Sequence, residues 1–356
     1  MNRLGLLILL LLLLTSCTNF GPYRLPPNRL SYNYSLQYSD AQQQLLNIVR
    51  LRYSDSPYFL TVNNIVSQYN FSNEISGEVS NNSGTFPLRT IGTAAGQASF
   101  TESPTITYTP LQGKAYVTRL LTPIDPSVIY TLLRSGWGVH HVLRMLVQRL
   151  GPVENAILAS RTTSSRVPRF KEFQELLLVL RKLQYKESLL IENSTIDKQF
   201  AIQFRVQNFG GLTVKERQLL ARIGITPQTP VVWLVGHPTQ QKNQIYVQTR
   251  TVLGLFNYLS KSVDLPKADI LGGKAPMTYM ANRQIFDWRQ VTAGIMRVHH
   301  AKTPPKDALV AVPYRGNWFY IADSDSESKE TLNLLTVIIG IYEGNPKSNI
   351  PVFTIS

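Results

Sequence analysis

The chain has 356 residues, of which 43% are hydrophobic and 16% are charged. The hydrophobic share is large enough for a folded core, so the composition excludes wholesale disorder and collagen-like or coiled-coil architectures. The length fits one large domain or two smaller ones. The formal net charge at pH 7 is +14, which favours contact with anionic material.

The first 16 residues have the pattern of a secretory signal peptide. Arg3 supplies the positive charge, and an unbroken apolar run follows from Leu6 to Leu14. A membrane-spanning helix needs about 20 apolar residues, so this run is too short to be one. The sequence therefore predicts export of the chain and removal of residues 1–16.

The apolar run ends in Leu14-Thr15-Ser16-Cys17, which matches the bacterial lipobox. This motif predicts cleavage before Cys17, followed by acylation of its thiol and of the new amine. Several acyl chains give a stable membrane anchor, whereas a single chain binds only marginally. Two alternatives stay open, namely an ordinary signal peptide with a chance cysteine and an uncleaved anchor.

Cys17 is the only cysteine in the chain. A disulfide within the chain, a cysteine-based metal site and a second, nucleophilic cysteine are therefore excluded. Thr18 follows it, at the position where retention in the inner membrane usually needs an aspartate. The motif thus predicts a protein held by lipid at the outer membrane and facing the periplasm.

We expect an α+β fold, with mixed helices and antiparallel strands in one or two subdomains. Residues 17–38 contain three prolines and no acidic residue, which predicts an extended, lipidated tether. Behind the tether we place an N-terminal α+β region at 39–190. A C-terminal α/β region at 191–356 ends in a hairpin and a helix.

In the N-terminal region, a strand-rich stretch lies between helical patterns. Asp40 is placed to cap a helix that runs to about Tyr53. Residues 58–110 are rich in strand formers, with a turn at 81–84 and a mobile loop over 85–97. Helical spacing then predicts helices at 113–121, 126–135 and 138–150.

In the C-terminal region and just before it, strands alternate with well-delimited helices. The clearest amphipathic helix is 170–185. Thr213 and Glu216 form a capping box, which predicts a helix at 214–223 closed by Gly224. The other predicted elements are a hairpin of 188–192 with 199–206, strands at 231–235, 244–248 and 295–299, an irregular stretch at 264–290, and helices at 251–260 and 325–342.

A second hairpin is predicted near the C-terminus. Ala308–Tyr314 and Trp318–Ala322 flank Arg315-Gly316-Asn317, and Gly316 is expected at a positive φ. Trp318 and Tyr320 share one face of the second strand, and the two-residue period predicts that Trp318 lies in the core. The alternative is an exposed aromatic platform, which makes Trp318 and Tyr320 the candidate interaction residues.

Five histidines are candidates for acid–base or metal chemistry. His140 and His141 point about 100° apart on a helix, so they cannot share a metal as an i, i+4 pair does, and we expect one in the core and one at the surface. His299 and His300 lie at a strand end, where neighbours point to opposite faces and one is placed to meet an acid. His237 precedes Pro238 in an expected exposed turn.

The acidic stretch Asp323-Ser324-Asp325-Ser326-Glu327 is spaced like a cation site. It lacks the glycine and the final glutamate of a calcium loop, and acids are expected at a helix N-terminus. We therefore predict that Ser324 and Glu327 cap the last helix. The motifs of serine hydrolases, zinc proteases and phosphate-binding loops are missing from the sequence, so we predict no catalytic residue, no metal site and no cofactor.

Four groups of residues carry a family resemblance: Gln44–Tyr53 with Pro57-Tyr58-Phe59, Ile106–Gly113, Leu120–Ile124, and Tyr314–Ile321 with Asp323 and Ser328-Lys329. Together they resemble an uncharacterised proteobacterial outer-membrane lipoprotein family. The resemblance implies no activity and carries over no catalytic residue. It also implies a setting, namely an accessory role beside a secretion system of the cell envelope.

Two classes of function follow from these observations. The first is a structural or interaction component of an envelope assembly, which binds outer-membrane lipid through Cys17 and binds other envelope proteins. The second is a periplasmic hydrolase whose histidine and carboxylate meet only in the folded chain. Nucleic acid is a poor partner for an exported lipoprotein. An open strand edge or a flat apolar patch favours the first class, and a pocket that joins a histidine to a carboxylate of shifted pKa favours the second.

Overall fold

A computed structural model describes residues 25–81, 90–161, 166–196 and 198–343. The signal peptide at 1–16 and the lipidation site Cys17 lie outside the described residues. So do residues 17–24 of the predicted tether and positions 82–84 of the predicted turn.

Helices and mostly antiparallel strands make up the described chain, which confirms the predicted α+β class. The helices are α1 (Leu25–Arg52), α2 (Lys114–Leu121), α3 (Pro126–Arg134), α4 (Val139–Leu146), α5 (Lys171–Tyr185), α6 (Val214–Arg222), α7 (Val252–Ser260), α8 (Lys267–Leu271), α9 (Arg289–Thr292) and α10 (Ser326–Glu343). The strands are β1 (Leu60–Asn81), β2 (Thr90–Pro110), β3 (Val147–Leu150), β4 (Val153–Glu154), β5 (Leu189–Ile196), β6 (Gln199–Val206), β7 (Val231–Val235), β8 (Gln244–Thr249), β9 (His299–Ala301), β10 (Ala308–Tyr314) and β11 (Asn317–Ala322).

The described residues divide into two compact units. Tyr58–Gly113 form the smaller unit, and the residues up to Pro57 and from Lys114 onward form the larger one. The predicted boundary between 190 and 191 does not separate these units. It falls inside β5, because β5 pairs along its whole length with β6 in the larger unit.

A six-stranded sheet organises the larger unit, in the order β4-β3-β8-β7-β6-β5. β7 and β8 run parallel, and the other neighbours run antiparallel. Helix α5 buries the apolar face that its spacing predicts, and this face includes Phe173, Leu176 and Leu180. The predicted capping box of Thr213 and Glu216 is present at the start of α6.

Helix α1 is longer than the sequence pattern predicts. It begins at Leu25, so the prediction of an extended tether is wrong for residues 25–38. Pro26 and Pro27 stand in its first turn, where the N–H that proline lacks has no helical partner to lose. Proline occurs both in extended chains and at helix starts, so these residues alone do not distinguish a tether from the first turn of a helix.

The two halves of α1 differ in burial. The first half exposes large side chains at intervals of four residues, with Leu30 58%, Tyr34 68% and Tyr38 48% exposed. The second half packs against α7 and β10 and fully buries Leu45 and Ile48. The body of the protein therefore holds α1 by its C-terminal half.

The predicted helix over 138–150 is divided in the structure. Helix α4 ends at Leu146, and Val147–Leu150 form β3, which pairs with β8 and β4. The pairing with β8 joins segments about a hundred residues apart in sequence. A local helical period cannot reveal such a partner, so this part of the prediction is wrong.

Three further predictions in the C-terminal part of the chain need correction. The strand expected at 295–299 begins only at His299, in β9. The cap of α10 is Asp325 and not Ser324, because the Asp325 carboxylate accepts hydrogen bonds from Ser328 N at 3.0 Å and Ser328 Oγ at 2.6 Å. The stretch 264–290, predicted as irregular, contains α8 and the start of α9.

Candidate functional site

The smaller unit is built on one long hairpin of β1 and β2, which are 22 and 21 residues long. Their antiparallel register runs from Leu60 opposite Pro110 to Asn81 opposite Thr90, with one irregularity between Val62 and Asn64. Strands of globular proteins usually have about 3–10 residues. The mobile loop predicted over 85–97 is therefore wrong for 90–97, since continuous pairing with β1 makes these residues part of β2.

Within the described chain, neither outer edge of this hairpin is paired with another strand. An unpaired edge presents a row of backbone N–H and C=O groups to any strand that approaches. Apolar side chains at the base of the hairpin are also exposed, with Val66 45%, Ile106 42% and Tyr108 55% exposed. The hairpin thus combines open edges with exposed apolar side chains.

Trp318 and Tyr320 lie on β11, in the three-stranded sheet of order β10-β11-β9. Both side chains are half-buried, whereas Phe319 and Ile321 between and beside them are fully buried. The prediction that Trp318 is a core residue is therefore wrong. The sheet face that carries Trp318 and Tyr320 also carries His299, whose ring stacks on Tyr320 with 5.3 Å between centroids.

The length of the turn between β10 and β11 explains why Trp318 lies on the half-buried face of the sheet and not in the core. Only Arg315 and Gly316 form the turn, with φ of 47° and 72°, and Tyr314 pairs with Asn317. The predicted three-residue connection would place Tyr314 opposite Trp318. Because side chains alternate with a period of two, this shift by one residue moves Trp318 to the opposite face of the sheet.

His140 and His141 lie on α4, where one of them is in the core as predicted but the other is half-buried and not at the surface. His141 is buried, with 1% exposed, and His140 is half-buried. Thr331 Oγ1 donates to Ile295 O and lies 3.0 Å from His141 Nε2, so this nitrogen carries the proton. Burial and neighbouring positive charge lower the pKa of both histidines to about 4, which keeps them neutral at pH 7.

Within the part of the chain that the structure describes, none of the remaining histidines is hydrogen-bonded or ion-paired to a carboxylate. His237 is half-buried after β7, not exposed as expected. Burial and then Arg297 lower the pKa of the stacked His299 ring. His300 is exposed and lines a pocket of about 450 Å³ together with Asp264 and Asp287.

This pocket bears most directly on the hydrolase alternative, because His300, Asp264 and Asp287 all line it. Arg289 holds Asp287 at 2.8 Å, and hydrogen bonds from Arg289 lower the pKa of Asp287 below its ordinary value. Asp264 lies 3.3 Å from Arg297 Nε and 3.8 Å from Arg289. A general base needs a pKa raised towards 7, so Asp287 is shifted in the wrong direction for that role.

The same pocket contains two buried cations that the sequence reasoning missed. Arg52 at the end of α1 is 5% exposed, and Lys261 just after α7 is 4% exposed. Burial lowers the pKa of Arg52 to about 10, and burial together with Arg52 lowers the pKa of Lys261 to about 7. The sequence carries a signal for Arg52 alone, since it continues the helical spacing of Leu45, Ile48 and Val49, whereas Lys261 stands between Ser260 and Ser262.

The acidic stretch before α10 is occupied by structural contacts. Asp325 caps the helix, and Asp323 forms an ion pair with Lys329 at 2.6 Å. Among the described residues, no cluster of three or more histidine, cysteine or acidic side chains is placed to hold a metal ion. These contacts are those of a helix start, as the sequence predicts for this stretch.

Comparisons of the chain with protein-family models, with curated proteins and with solved structures found no match. None of the helices in the described part of the chain combines the length and apolar character needed to cross a membrane.

Proposed function

We propose that the protein is an interaction component of a bacterial envelope assembly, held at the outer membrane by acyl chains on Cys17. The observation that carries this proposal is the hairpin of β1 and β2, whose two outer edges are unpaired in the described chain. An isolated two-stranded hairpin is only marginally stable in water. A partner strand added at either edge supplies the missing hydrogen bonds along much of its length.

The partner in this proposal is another envelope protein, and the setting beside a secretion system follows from the family resemblance alone. The half-buried face of Trp318 and Tyr320 offers a second contact surface, since aromatic side chains are enriched at protein interfaces. The exposed first half of α1 lies just beyond the proposed anchor in sequence and offers a third. These surfaces support a binding role better than the pocket carboxylates support a hydrolase.

The test combines crosslinking in intact cells with charge substitutions on the hairpin. Val66→Lys and Ile106→Lys place charges at exposed positions of β1 and β2, which hinders the approach of a further strand. Val214→Lys is the matched control, because Val214 on α6 is 74% exposed and lies in the larger unit. We expect both hairpin variants to lose most of the crosslinked product and the control to keep it.

The mass spectra of the crosslinked product then identify the partner. An equal yield of crosslinked product from all three variants, at equal protein level, would show that the hairpin does not bind the partner. The hydrolase alternative would be favoured if the unaltered protein formed a hydrolysis product that a His300→Ala variant of unchanged stability did not form.

A further inference from the structure

The pocket of about 450 Å³ beside the end of α1 is lined by more basic than acidic side chains. Asp264 and Asp287 are engaged at its rim by Arg289 and Arg297. Arg52 and Lys261 add two buried cations, and the pocket also includes Lys267. The lining therefore contains more cations than carboxylates.

Arg52 is fixed in place but not neutralised by the residues that the structure describes. Its NH1 group donates to Pro276 O at 2.9 Å, and its NH2 group lies 3.7 Å from Met277 Sδ. Its buried Nε has no hydrogen-bond partner in the described chain, where no carboxylate forms an ion pair with the guanidinium. A buried cation without a counter-charge is costly, and an anion placed beside it recovers part of that cost.

Lys261 adds a second positive charge at the same place. Arg52 and Lys261 both stand at helix C-termini, where the helix dipole favours cations. The Lys261 Nζ lies 5.4 Å from the centroid of the Trp288 ring. Lys261 lines the same pocket as Arg52, so an anion bound beside Arg52 lies within the field of a second positive charge.

Apart from His300, the rest of the lining is apolar. It includes Leu265, Ile285, Phe286 and Trp288, and Phe286 packs edge-on against Trp288 with 5.3 Å between centroids. The pocket volume lies within the range of about 300–1,000 Å³ that is common for small-molecule sites. An anionic end beside apolar walls is the arrangement that suits an amphiphilic anion.

We propose that this pocket binds an amphiphilic anion, with a carboxylate or phosphate group on Arg52 and Lys261 and an alkyl chain along Ile285, Phe286 and Trp288. The ligand belongs to the chemical class of fatty acids and phosphorylated lipids. Because Arg52 ends the long helix α1, the ligand contacts the same helix that leads back towards the predicted anchor. This inference does not depend on the hairpin or on its partner.

Calorimetry with the purified protein tests the proposal, using decanoate and decyl phosphate below their micelle concentrations. Decyltrimethylammonium tests the need for negative charge, and butyrate and inorganic phosphate test the need for the chain. We expect saturable binding of one or both decyl anions and at least tenfold weaker binding of the other probes. The stronger of the two anions distinguishes a carboxylate ligand from a phosphate ligand.

Arg52→Gln and Lys261→Met are each expected to weaken binding at least tenfold, while Lys242→Met keeps it. Lys242 is exposed and lies outside the pocket, so it controls for the loss of one positive charge. Equal affinity in all folded variants, or equal binding of the cationic probe, would overturn the proposal. If the two pocket variants fail to fold, the unaltered protein is labelled instead with a photoreactive decyl phosphate. Adducts within 261–267 and 285–289 would support the proposed site. Adducts elsewhere would overturn it.

Discussion

At position 318 the indole ring lies on the half-buried face of β11, while the neighbouring Phe319 ring is fully buried. Phe319 packs beside Tyr53 at the end of α1, with 6.1 Å between ring centroids. Two adjacent aromatic residues of one strand thus serve different purposes. One belongs to the core, and the other stands on the surface that we propose for partner binding.

This difference predicts unequal effects on stability. Phe319→Ala should lower the free energy of unfolding by about 3–5 kcal/mol, the usual cost of truncating a buried phenylalanine. Trp318→Ala should cost clearly less, because part of the side chain already faces water. Urea unfolding of both variants measures the two values. A Trp318→Ala cost equal to that of Phe319→Ala would contradict the register described for β10 and β11.

His141 makes stability depend on pH. Its folded-state pKa of about 4 lies below the ordinary value of 6.5, so the unfolded chain binds the proton more readily. The free energy of unfolding therefore falls as the pH falls from about 6.5 to about 4, by up to about 3 kcal/mol for this group. His141→Gln should flatten the fall in melting temperature over this range. An unchanged pH profile in the folded variant would contradict the assignment.

At the scale of elements, the capping box of α6 connects a sequence motif directly to a geometry. Thr213 Oγ1 accepts from Glu216 N at 3.2 Å, and Glu216 accepts in return from Thr213 N at 2.7 Å. Lys182 of α5 also donates to Glu216 at 2.8 Å, which joins the two helices. The cap therefore serves both the helix start and its packing.

Thr213→Ala should cost about 1 kcal/mol of unfolding free energy, since it leaves the Glu216 N–H without its cap. Lys215→Ala is the control, because it removes only an exposed ion pair with Glu175 and such pairs contribute about 0–1 kcal/mol. Chemical denaturation measures both changes. A Thr213→Ala effect smaller than that of the control would show that the cap contributes little.

The long hairpin is an element of a different kind, because it forms a compact unit apart from the rest. Replacing residues 60–110 with a short Gly-Ser linker should leave one cooperative unfolding transition of the larger unit near its original midpoint. The same variant should lose its crosslinked partner. Calorimetric melting measures the first outcome, and loss of the folded larger unit would contradict the separation of the two units.

At the scale of the whole molecule, we propose an acyl anchor followed by a folded body with exposed contact surfaces. The long α1 lies close to the proposed anchor in sequence at its N-terminal end and packs in the body at its C-terminal end. The net charge of +14 favours an anionic environment, such as phosphorylated lipid. In this proposal the acyl anchor sets the location of the protein, and the folded body sets its binding partners.

Cys17→Ser tests the anchor, because serine cannot take the first acyl chains. We expect the variant to accumulate as an unprocessed or soluble form, while the unaltered protein sediments with the outer membrane. Ser16→Ala keeps a small residue in the lipobox and serves as the control. A Cys17→Ser variant with unchanged mobility that still sediments with the outer membrane would show that lipid is not the anchor.

Local patterns predicted a large part of the fold correctly. The spacing of Phe173, Leu176 and Leu180 predicted α5, and the alternation within 188–206 predicted the β5–β6 hairpin. These elements depend on interactions between residues that are close in sequence, which a pattern records. The split of 138–150 and the strand character of 90–97 depend on partners elsewhere in the chain, so their local patterns were misleading.

By itself the sequence determined the α+β class, the main amphipathic helices and the capping box, because each depends on a short run of residues. Export and lipidation at Cys17 stay predictions. Tertiary structure alone decided the face on which Trp318 lies, since a turn of two residues instead of three reverses every side chain of the strand. It also brought Arg52 and Lys261 into one pocket across about two hundred residues of sequence. Burial and charge balance are properties of the folded chain, and a linear pattern contains neither.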